Sequence, residues 1–208
     1  MKRIIIAFSV FMAFGGSVLA QERPDALLLY NDGRYEEAVT VCLRELEEMP
    51  KNMDSYVVLG WSLLKLKRYD EVLSYSEKAF AISRYDARVI ETVGEAYYFL
   101  GKNADALKYF EEYASLAPTG PRIGDVYYYM GEIFIRTGEY NRADIALTTA
   151  VYHSPNISAW WARLGYAREM AGDYTYASEA YDKALLLKPS LPDAIRGKER
   201  IKAKLENG

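Results

Sequence analysis

Residues that could carry out catalysis are scarce in this sequence of 208 residues. The single cysteine, Cys42, and the single histidine, His153, lie far apart in the chain, whereas a nucleophilic thiol needs a base beside it. Glu91 and Glu95 form a carboxylate pair, but paired acids act as general acid and base only where a pocket separates their proton affinities. No phosphate-binding glycine loop, dinucleotide fingerprint or Gly-x-Ser-x-Gly motif is present. The sequence therefore predicts no enzymatic activity and no cofactor.

Composition narrows the class of protein further. With 50% hydrophobic and 26% charged residues, the chain is neither a disordered acidic chain nor a multispan membrane protein. Its formal net charge of −3 argues against a nucleic-acid partner, because phosphate binding usually needs a basic surface. One cysteine excludes a disulfide framework, and one histidine with one cysteine excludes the common zinc sites.

Residues 1–20 have the three-part pattern of a secretory signal peptide. Lys2 and Arg3 give a basic start, residues 4–14 are almost wholly apolar, and small residues lead up to Ala20. The apolar run is shorter than the roughly 20 residues that cross a bilayer, and an uncleaved membrane anchor is the alternative. We expect cleavage after Ala20, no stable membrane insertion of the mature chain, and a location in the bacterial periplasm or outside the cell.

The rest of the chain repeats itself with a period of 34 residues. Four sets of positions keep this period, and all four are interrupted by the same three extra residues between Pro118 and Gly124. The sets are Gly60, Gly94, Gly131 and Gly165; Gly33, Lys67, Gly101, Gly138 and Gly172; Ala38, Val72, Ala106, Ala143 and Ala177; and Pro50, Arg84, Pro118, Pro155 and Pro189. Four concordant sets indicate a tandem repeat.

Each repeat is predicted to contain two helices joined by a turn. Val126, Met130 and Ile133 recur at helical spacing, Gly138 ends that helix in the left-handed conformation that glycine adopts without strain, and Pro155 stops the next helix. No segment shows the sustained alternation of a strand. Because a two-helix unit cannot bury its apolar face alone, neighbouring units must stack.

Small residues are expected where the two helices of a unit approach closely. Glycine inside a helix costs about 1 kcal/mol relative to alanine, so the glycines of the first helices must serve packing. Phe110, Leu147 and Tyr181 are predicted to fill the space around this contact. Cys42 falls in the same register, so we expect a core thiol, and we expect a partly buried structural imidazole at His153, in the last turn of a second helix.

These positions resemble the tetratricopeptide repeat. The fifth unit shows the resemblance most fully, at Trp161, Leu164, Gly165, Gly172, Tyr174, Ala177, Tyr181, Ala184 and Pro189. The resemblance implies an all-α fold, a right-handed α-solenoid of stacked antiparallel helix pairs in residues 21–190. Its units lie near 21–52, 53–86, 87–123, 124–157 and 158–190, and the first is truncated.

Some positions depart from the family pattern. Lys67 stands where other units have the turn glycine, Arg84 replaces a closing proline, Tyr113 replaces a small alanine, and Arg168 replaces an apolar residue. Residues 191–208 are predicted to form a capping helix, because a stacked array needs a polar terminal face. Its basic outer face would consist of Arg196, Lys198, Arg200, Lys202 and Lys204.

In this family the first helices of the units line a concave groove that grips peptides or partner helices. The candidate groove residues are Trp61, Lys65, Arg88, Glu91, Glu95, Tyr98, Phe99, Tyr128, Glu132, Arg136, Tyr166 and Glu169, and Tyr30 extends the row. The basic residues with which chaperone-binding members clamp a C-terminal carboxylate are absent from the matching positions, which hold Val57, Trp61, Glu91, Glu95, Tyr128 and Glu132.

This aromatic and acidic row predicts a protein or peptide partner with apolar and basic side chains. The alternative is that the aromatic rings pack between adjacent first helices and that the acids are merely solvated. Under the binding hypothesis, charge reversal at Glu91 and Glu95 together weakens partner binding without unfolding the protein. The Pro118–Gly124 connection either alters the solenoid or offers a contact, or it is simply a tolerated loop.

Two functions follow as expectations. The first is a non-enzymatic exported scaffold or adaptor, which binds its partner in the groove and serves cell-envelope assembly or organisation. The alternative is a ligand- or substrate-delivery component that acts beside a periplasmic transporter, with a pocket closed by self-association.

Overall fold

A computed structural model describes residues 25–206, so the expected signal peptide at residues 1–20 lies outside the described part of the chain. Within residues 25–206 all regular secondary structure is α-helical. The helices are α1 (Ala26–Asn31), α2 (Tyr35–Glu48), α3 (Met53–Lys65), α4 (Tyr69–Ile82), α5 (Ala87–Phe99), α6 (Asn103–Leu116), α7 (Ile123–Arg136), α8 (Tyr140–His153), α9 (Ser158–Ala171), α10 (Tyr174–Leu187) and α11 (Pro192–Glu206).

The helices form a solenoid of stacked pairs. Each odd-numbered helix from α1 to α9 packs against the even-numbered helix that follows it and against the next odd-numbered helix. Four helix pairs, α3–α4 to α9–α10, have first helices of 13 or 14 residues, whereas α1 has six. The predicted all-α solenoid is confirmed. No helix in the described residues combines the length and the apolar character that a membrane crossing requires.

Side-chain caps fix where the first helices of the N-terminal half begin. The Asp25 carboxylate accepts hydrogen bonds from the Leu27 and Leu28 N–H groups, and Asn52 and Asp86 cap α3 and α5 in the same way. These oxygens satisfy amide groups that a helix start leaves without an intrahelical acceptor. Helices α7 and α9 have no side-chain cap, so their first turns depend on other contacts.

The glycines of the first helices serve close packing, as predicted. A Cβ atom added at Gly94 would lie 2.6 Å from the Phe110 ring, and one at Gly131 would lie 2.5 Å from Leu147 Cγ. Tyr181 is enclosed on two sides, because a Cβ at Gly165 or at Gly197 would overlap its ring. Gly60 differs, since its nearest neighbour is Thr92 of the next first helix.

The sequence predictions for Cys42 and His153 had different outcomes. Cys42 is fully buried, as predicted, and burial raises the pKa of its thiol to about 12, so it remains a neutral core residue at physiological pH. The prediction for His153 was wrong in one respect. The residue does end α8, but it is exposed, and its imidazole lies edge-on to the exposed Tyr152 ring rather than in the core, where Ala150 and Val151 of the same turn lie.

Helix α11 covers the end of the stack with Ala194, Gly197 and Ile201. Its basic residues do not form one outward-facing row, contrary to the sequence prediction. Arg200 reaches α9, where its guanidinium donates to both carboxylate oxygens of Glu169 at 2.8 and 2.7 Å. The other cations of α11 contact carboxylates or hydroxyl groups of α10 and α11.

Candidate binding groove

An open cavity of about 620 Å³ lies on the side of the solenoid that the first helices form. Its lining residues come from α1, α3, α5, α7, the ends of α4 and α6, and the connections between helices. The lining residues are Tyr30, Trp61, Leu64, Lys65, Lys67, Tyr69, Ala87, Arg88, Glu91, Glu95, Phe99, Tyr113, Ala117, Pro121, Arg122 and Tyr129. We call this cavity the groove. Its volume is within the roughly 300–1,000 Å³ of ordinary ligand sites.

Aromatic rings form the walls of the groove. The Tyr30 and Trp61 ring centroids lie 5.7 Å apart, and Tyr69 stacks on Phe99 at 5.3 Å. Tyr129 meets Phe99 edge-on at 6.1 Å. Phe99 is 47% exposed, so its ring is available to a bound side chain. Such rings are typical anchors for a partner, since they offer large apolar area at low entropic cost.

Two buried glutamates face the groove, and one arginine pairs with both. Arg122 Nε lies 3.0 Å from Glu91 Oε1, and its Nη2 lies 2.5 Å from Glu95 Oε1. A third carboxylate, Asp125 Oδ2, lies 3.0 Å from Arg122 Nη1. The two glutamate side chains are only 4% and 11% exposed. Glu91 and Glu95 are therefore buried, paired groups rather than solvated acids.

Burial raises the pKa of Glu91 well above its ordinary value, and the neighbouring Glu95 adds to the shift, because a second negative charge disfavours ionisation. Burial also raises the pKa of Asp125, although Arg122 acts against this shift. One guanidinium therefore serves three carboxyl groups. Glu91 and Glu95 are therefore not two free negative charges that would attract a basic partner. The sequence prediction of basic side chains on the partner depended on such charges and loses this support.

The lengthened connection after α6 places Arg122. The Tyr113 hydroxyl accepts a hydrogen bond from the Arg122 N–H at 3.2 Å, and a Cβ at Gly120 would lie 2.5 Å from the same oxygen. Two departures from the repeat, the three extra residues and the tyrosine at an alanine position, thus work together. The loop contributes Pro121 and Arg122 to the groove wall, and sequence reasoning did not include these two residues, Tyr113 or Tyr129 in the groove.

The structure brings half of the predicted site residues together, namely Trp61, Lys65, Arg88, Glu91, Glu95 and Phe99. Sequence reasoning also missed Tyr69 and Lys67, which belong to the turn and start of α4 rather than to a first helix. The sequence did single out Lys67, because it stands where the other units have the turn glycine.

The other six predicted residues lie along α5, α7 and α9, outside the groove. Tyr128 stacks on Trp160 at 4.9 Å, and the Arg136 guanidinium lies over the Tyr98 ring at 4.8 Å. The carboxylate of Glu132 accepts hydrogen bonds from Nε and Nη2 of Arg163 at 2.5 and 2.9 Å, as that of Glu169 does from the same atoms of Arg200. Tyr166 lines a second cavity of about 220 Å³ against α11. In this half the aromatic and acidic residues pack against neighbouring helices.

Cations occupy the edge of the groove. Arg88 is balanced by Asp54 at 2.8 Å and Asp86 at 2.7 Å. Lys65 and Lys67 are exposed, and their ammonium groups make no ion pair or hydrogen bond within residues 25–206. The residues described contain no group of three or more histidine, cysteine or acidic side chains arranged to hold a metal ion.

The fold and the groove define a helical-repeat protein with a concave pocket. Tetratricopeptide repeat models match residues 54–86 and 94–147 of this chain. The second match includes the three extra residues before α7. No curated protein sequence gives a significant match to the chain.

Solved structures share the fold at low sequence identity. The chain is similar to MamA, with 19% identity, a TM-score of 0.68, and coverage of 87% of this chain and 98% of that one. It is also similar to YrrB, described as "a TPR protein with an unusual peptide-binding site", with 19% identity, a TM-score of 0.67, and coverage of 84% and 88%. A thermophilic TPR protein of Thermus thermophilus matches at 21% identity, a TM-score of 0.61, and coverage of 86% and 95%.

Proposed function

We propose that this protein is a non-catalytic exported scaffold that binds a segment of a partner protein in the groove and serves assembly or organisation of the cell envelope. The observation that carries the proposal is the open cavity of about 620 Å³ with aromatic walls. Export rests on the pattern of residues 1–20.

The groove is suited to an apolar anchor side chain. Trp61, Tyr69 and Phe99 present ring surface around one cavity, and buried aromatic contacts dominate the binding energy of many interfaces. A peptide-binding site on a protein of similar fold, YrrB, is consistent with this use of the solenoid. Fold alone does not assign function, so the proposal depends on the groove itself.

Site-specific photo-crosslinking tests the proposal in the native envelope. A photoreactive phenylalanine analogue in place of Phe99 is expected to crosslink one defined protein, which mass spectrometry then identifies. The matched control is the same analogue at Tyr152, which is 80% exposed on α8 and lies outside the groove. Equal labelling from both positions, or none from Phe99, would contradict groove binding. N-terminal sequencing of the mature protein tests the cleavage after Ala20.

A small-ligand function is the second candidate, because about 620 Å³ also suits a compact organic molecule. As a delivery component beside a periplasmic transporter, the protein would keep such a ligand through purification. Native mass spectrometry of freshly purified protein distinguishes the two functions. A bound mass that disappears when Phe99 and Trp61 are both replaced by alanine favours the delivery component over the scaffold.

A further inference from the structure

Lys67 occupies a backbone conformation that lysine rarely adopts. Its φ angle is 59°, in the left-handed region, and every other residue of 25–206 with such a φ is a glycine. The turns at Gly33, Gly101, Gly138 and Gly172 are the equivalents of this one. A side chain in this conformation strains the backbone, because its Cβ approaches the following carbonyl oxygen. Retained strain is frequently associated with a functional site, and Lys67 lines the groove.

Two of the four cations that line the groove form no ion pair within residues 25–206. Arg88 and Arg122 are compensated by carboxylates, as described above. Lys65 and Lys67 have no such partner within residues 25–206, and the carboxylate that Lys65 influences, Asp125, is already paired with Arg122. Two ammonium groups therefore stand at the edge of an aromatic pocket without a carboxylate of their own.

We infer that Lys65 and Lys67 form an anion-recognising edge of the groove, and that the partner segment carries acidic side chains beside the apolar side chain that fills the pocket. This inference rests on the proposed function and reverses the charge that the sequence predicts for the partner. The reversal follows from the burial of Glu91 and Glu95 against Arg122, which leaves Lys65 and Lys67 as the groove cations without a carboxylate partner.

Selection from a library of short random peptides tests the charge of the partner. The peptides are displayed as N-terminal fusions, so that no free C-terminal carboxylate is available to the groove. Selected peptides are expected to be enriched in aspartate and glutamate next to aromatic or aliphatic residues. Peptides that bind the groove but are enriched in lysine and arginine, or in neither charge, would overturn the inference and leave the proposed function standing. Selection of no peptide that depends on Trp61 and Phe99 would overturn both.

Variants of the two lysines separate recognition from folding. Lys67→Gly removes the charge and also relieves the backbone strain, so it is expected to raise the melting temperature by roughly 3 °C. The same variant is expected to weaken the selected acidic peptides by about threefold, as is Lys65→Gln, since an exposed charge pair contributes modestly. A more stable protein that binds less well cannot be explained by loss of structure.

The control is Lys183→Gln together with Lys188→Gln, two exposed lysines at the end of α10. This control is expected to leave peptide affinity unchanged. Equal weakening in the control would show a general charge effect and would overturn a site at Lys65 and Lys67. Unchanged affinity in the double variant Lys65→Gln with Lys67→Gly would overturn it as well.

Discussion

Two buried glutamates in different halves of the solenoid each pair with an arginine, but their pKa values are shifted in opposite directions. Glu91 of α5 and Glu169 of α9 each contact an arginine 31 residues further along the chain, Arg122 and Arg200. Burial and the adjacent Glu95 raise the pKa of Glu91. Burial acts in the same direction on Glu169, but hydrogen bonds from Arg200 and Tyr181 outweigh it, and the net pKa is lowered.

The difference lies in how many carboxyl groups share one cation. Arg200 serves Glu169 alone with two parallel hydrogen bonds, and the Tyr181 hydroxyl donates a third at 2.8 Å. Arg122 divides its donors among three carboxyl groups. The C-terminal region is therefore a satisfied packing interface, whereas in the groove region three carboxyl groups share one partly exposed guanidinium. Position in a repeat does not determine a role; the local set of partners does.

The largest expected effect is loss of folding when both groove glutamates are reversed. Glu91→Lys with Glu95→Lys would place two ammonium groups beside Arg122 in a buried site, and we expect a loss of about 4 kcal/mol or more in the free energy of unfolding. Urea unfolding followed by circular dichroism measures it. The control, Glu77→Lys with Glu111→Lys, reverses two exposed charges and is expected to change stability little. If the groove reversal were as stable as this control, the described burial would be wrong.

A smaller effect is expected from removing each arginine while keeping its apolar stem. Arg122→Met leaves two buried carboxylates without their cation and is expected to cost about 3 kcal/mol, an amount already reduced because the arginine is 44% exposed. Arg200→Met is expected to cost about 2 kcal/mol, because Tyr181 still donates to Glu169.

The control for this pair is Arg142→Met, which breaks an exposed pair with Glu139 and is expected to change stability far less than either of the other variants. All three variants are compared by the same denaturant titration. A larger loss for Arg200→Met than for Arg122→Met would refute the view that the number of carboxyl groups per cation determines the strength of each site.

The fold was predictable because its signals are local and periodic. The glycine at Gly131 and the leucine at Leu147 follow the repeat, and the structure places them in direct contact. The turn glycine at Gly138 has the positive φ angle that its position predicts. Such contacts join residues within one repeat unit, so a spacing read along the chain is sufficient to find them.

The site was only partly predictable because its key contacts cross between units. Helical spacing placed Glu91, Glu95 and Phe99 on one face of α5, and this face was predicted to be exposed. Spacing along one helix does not show which residues of another unit cover that face. The two buried glutamates of α5 pair with Arg122, which the lengthened loop between α6 and α7 brings back to them, and Tyr113 holds that loop. Neither contact follows from helical spacing. The departures from the repeat were the available signal.

The smallest expected effect is a pH dependence of opposite sign in the two regions. Because the folded pKa of Glu91 is raised, the native chain keeps this proton at pH values where the unfolded chain has lost it. The contribution of Glu91 to stability therefore falls as the pH rises from the ordinary glutamate pKa through the raised one. For Glu169 the folded pKa is lowered, so its contribution is present above the ordinary pKa and is lost as the pH falls through the folded value.

Neutral variants isolate the two contributions. Glu91→Gln should flatten the decline in unfolding free energy toward neutral pH, and Glu169→Gln should flatten the loss on acidification, both relative to the exposed control Glu111→Gln. Denaturant titrations across the acidic to neutral range measure these slopes. If both variants changed the slope in the same direction, the number of carboxyl groups that share each arginine would no longer explain the opposite pKa shifts of Glu91 and Glu169.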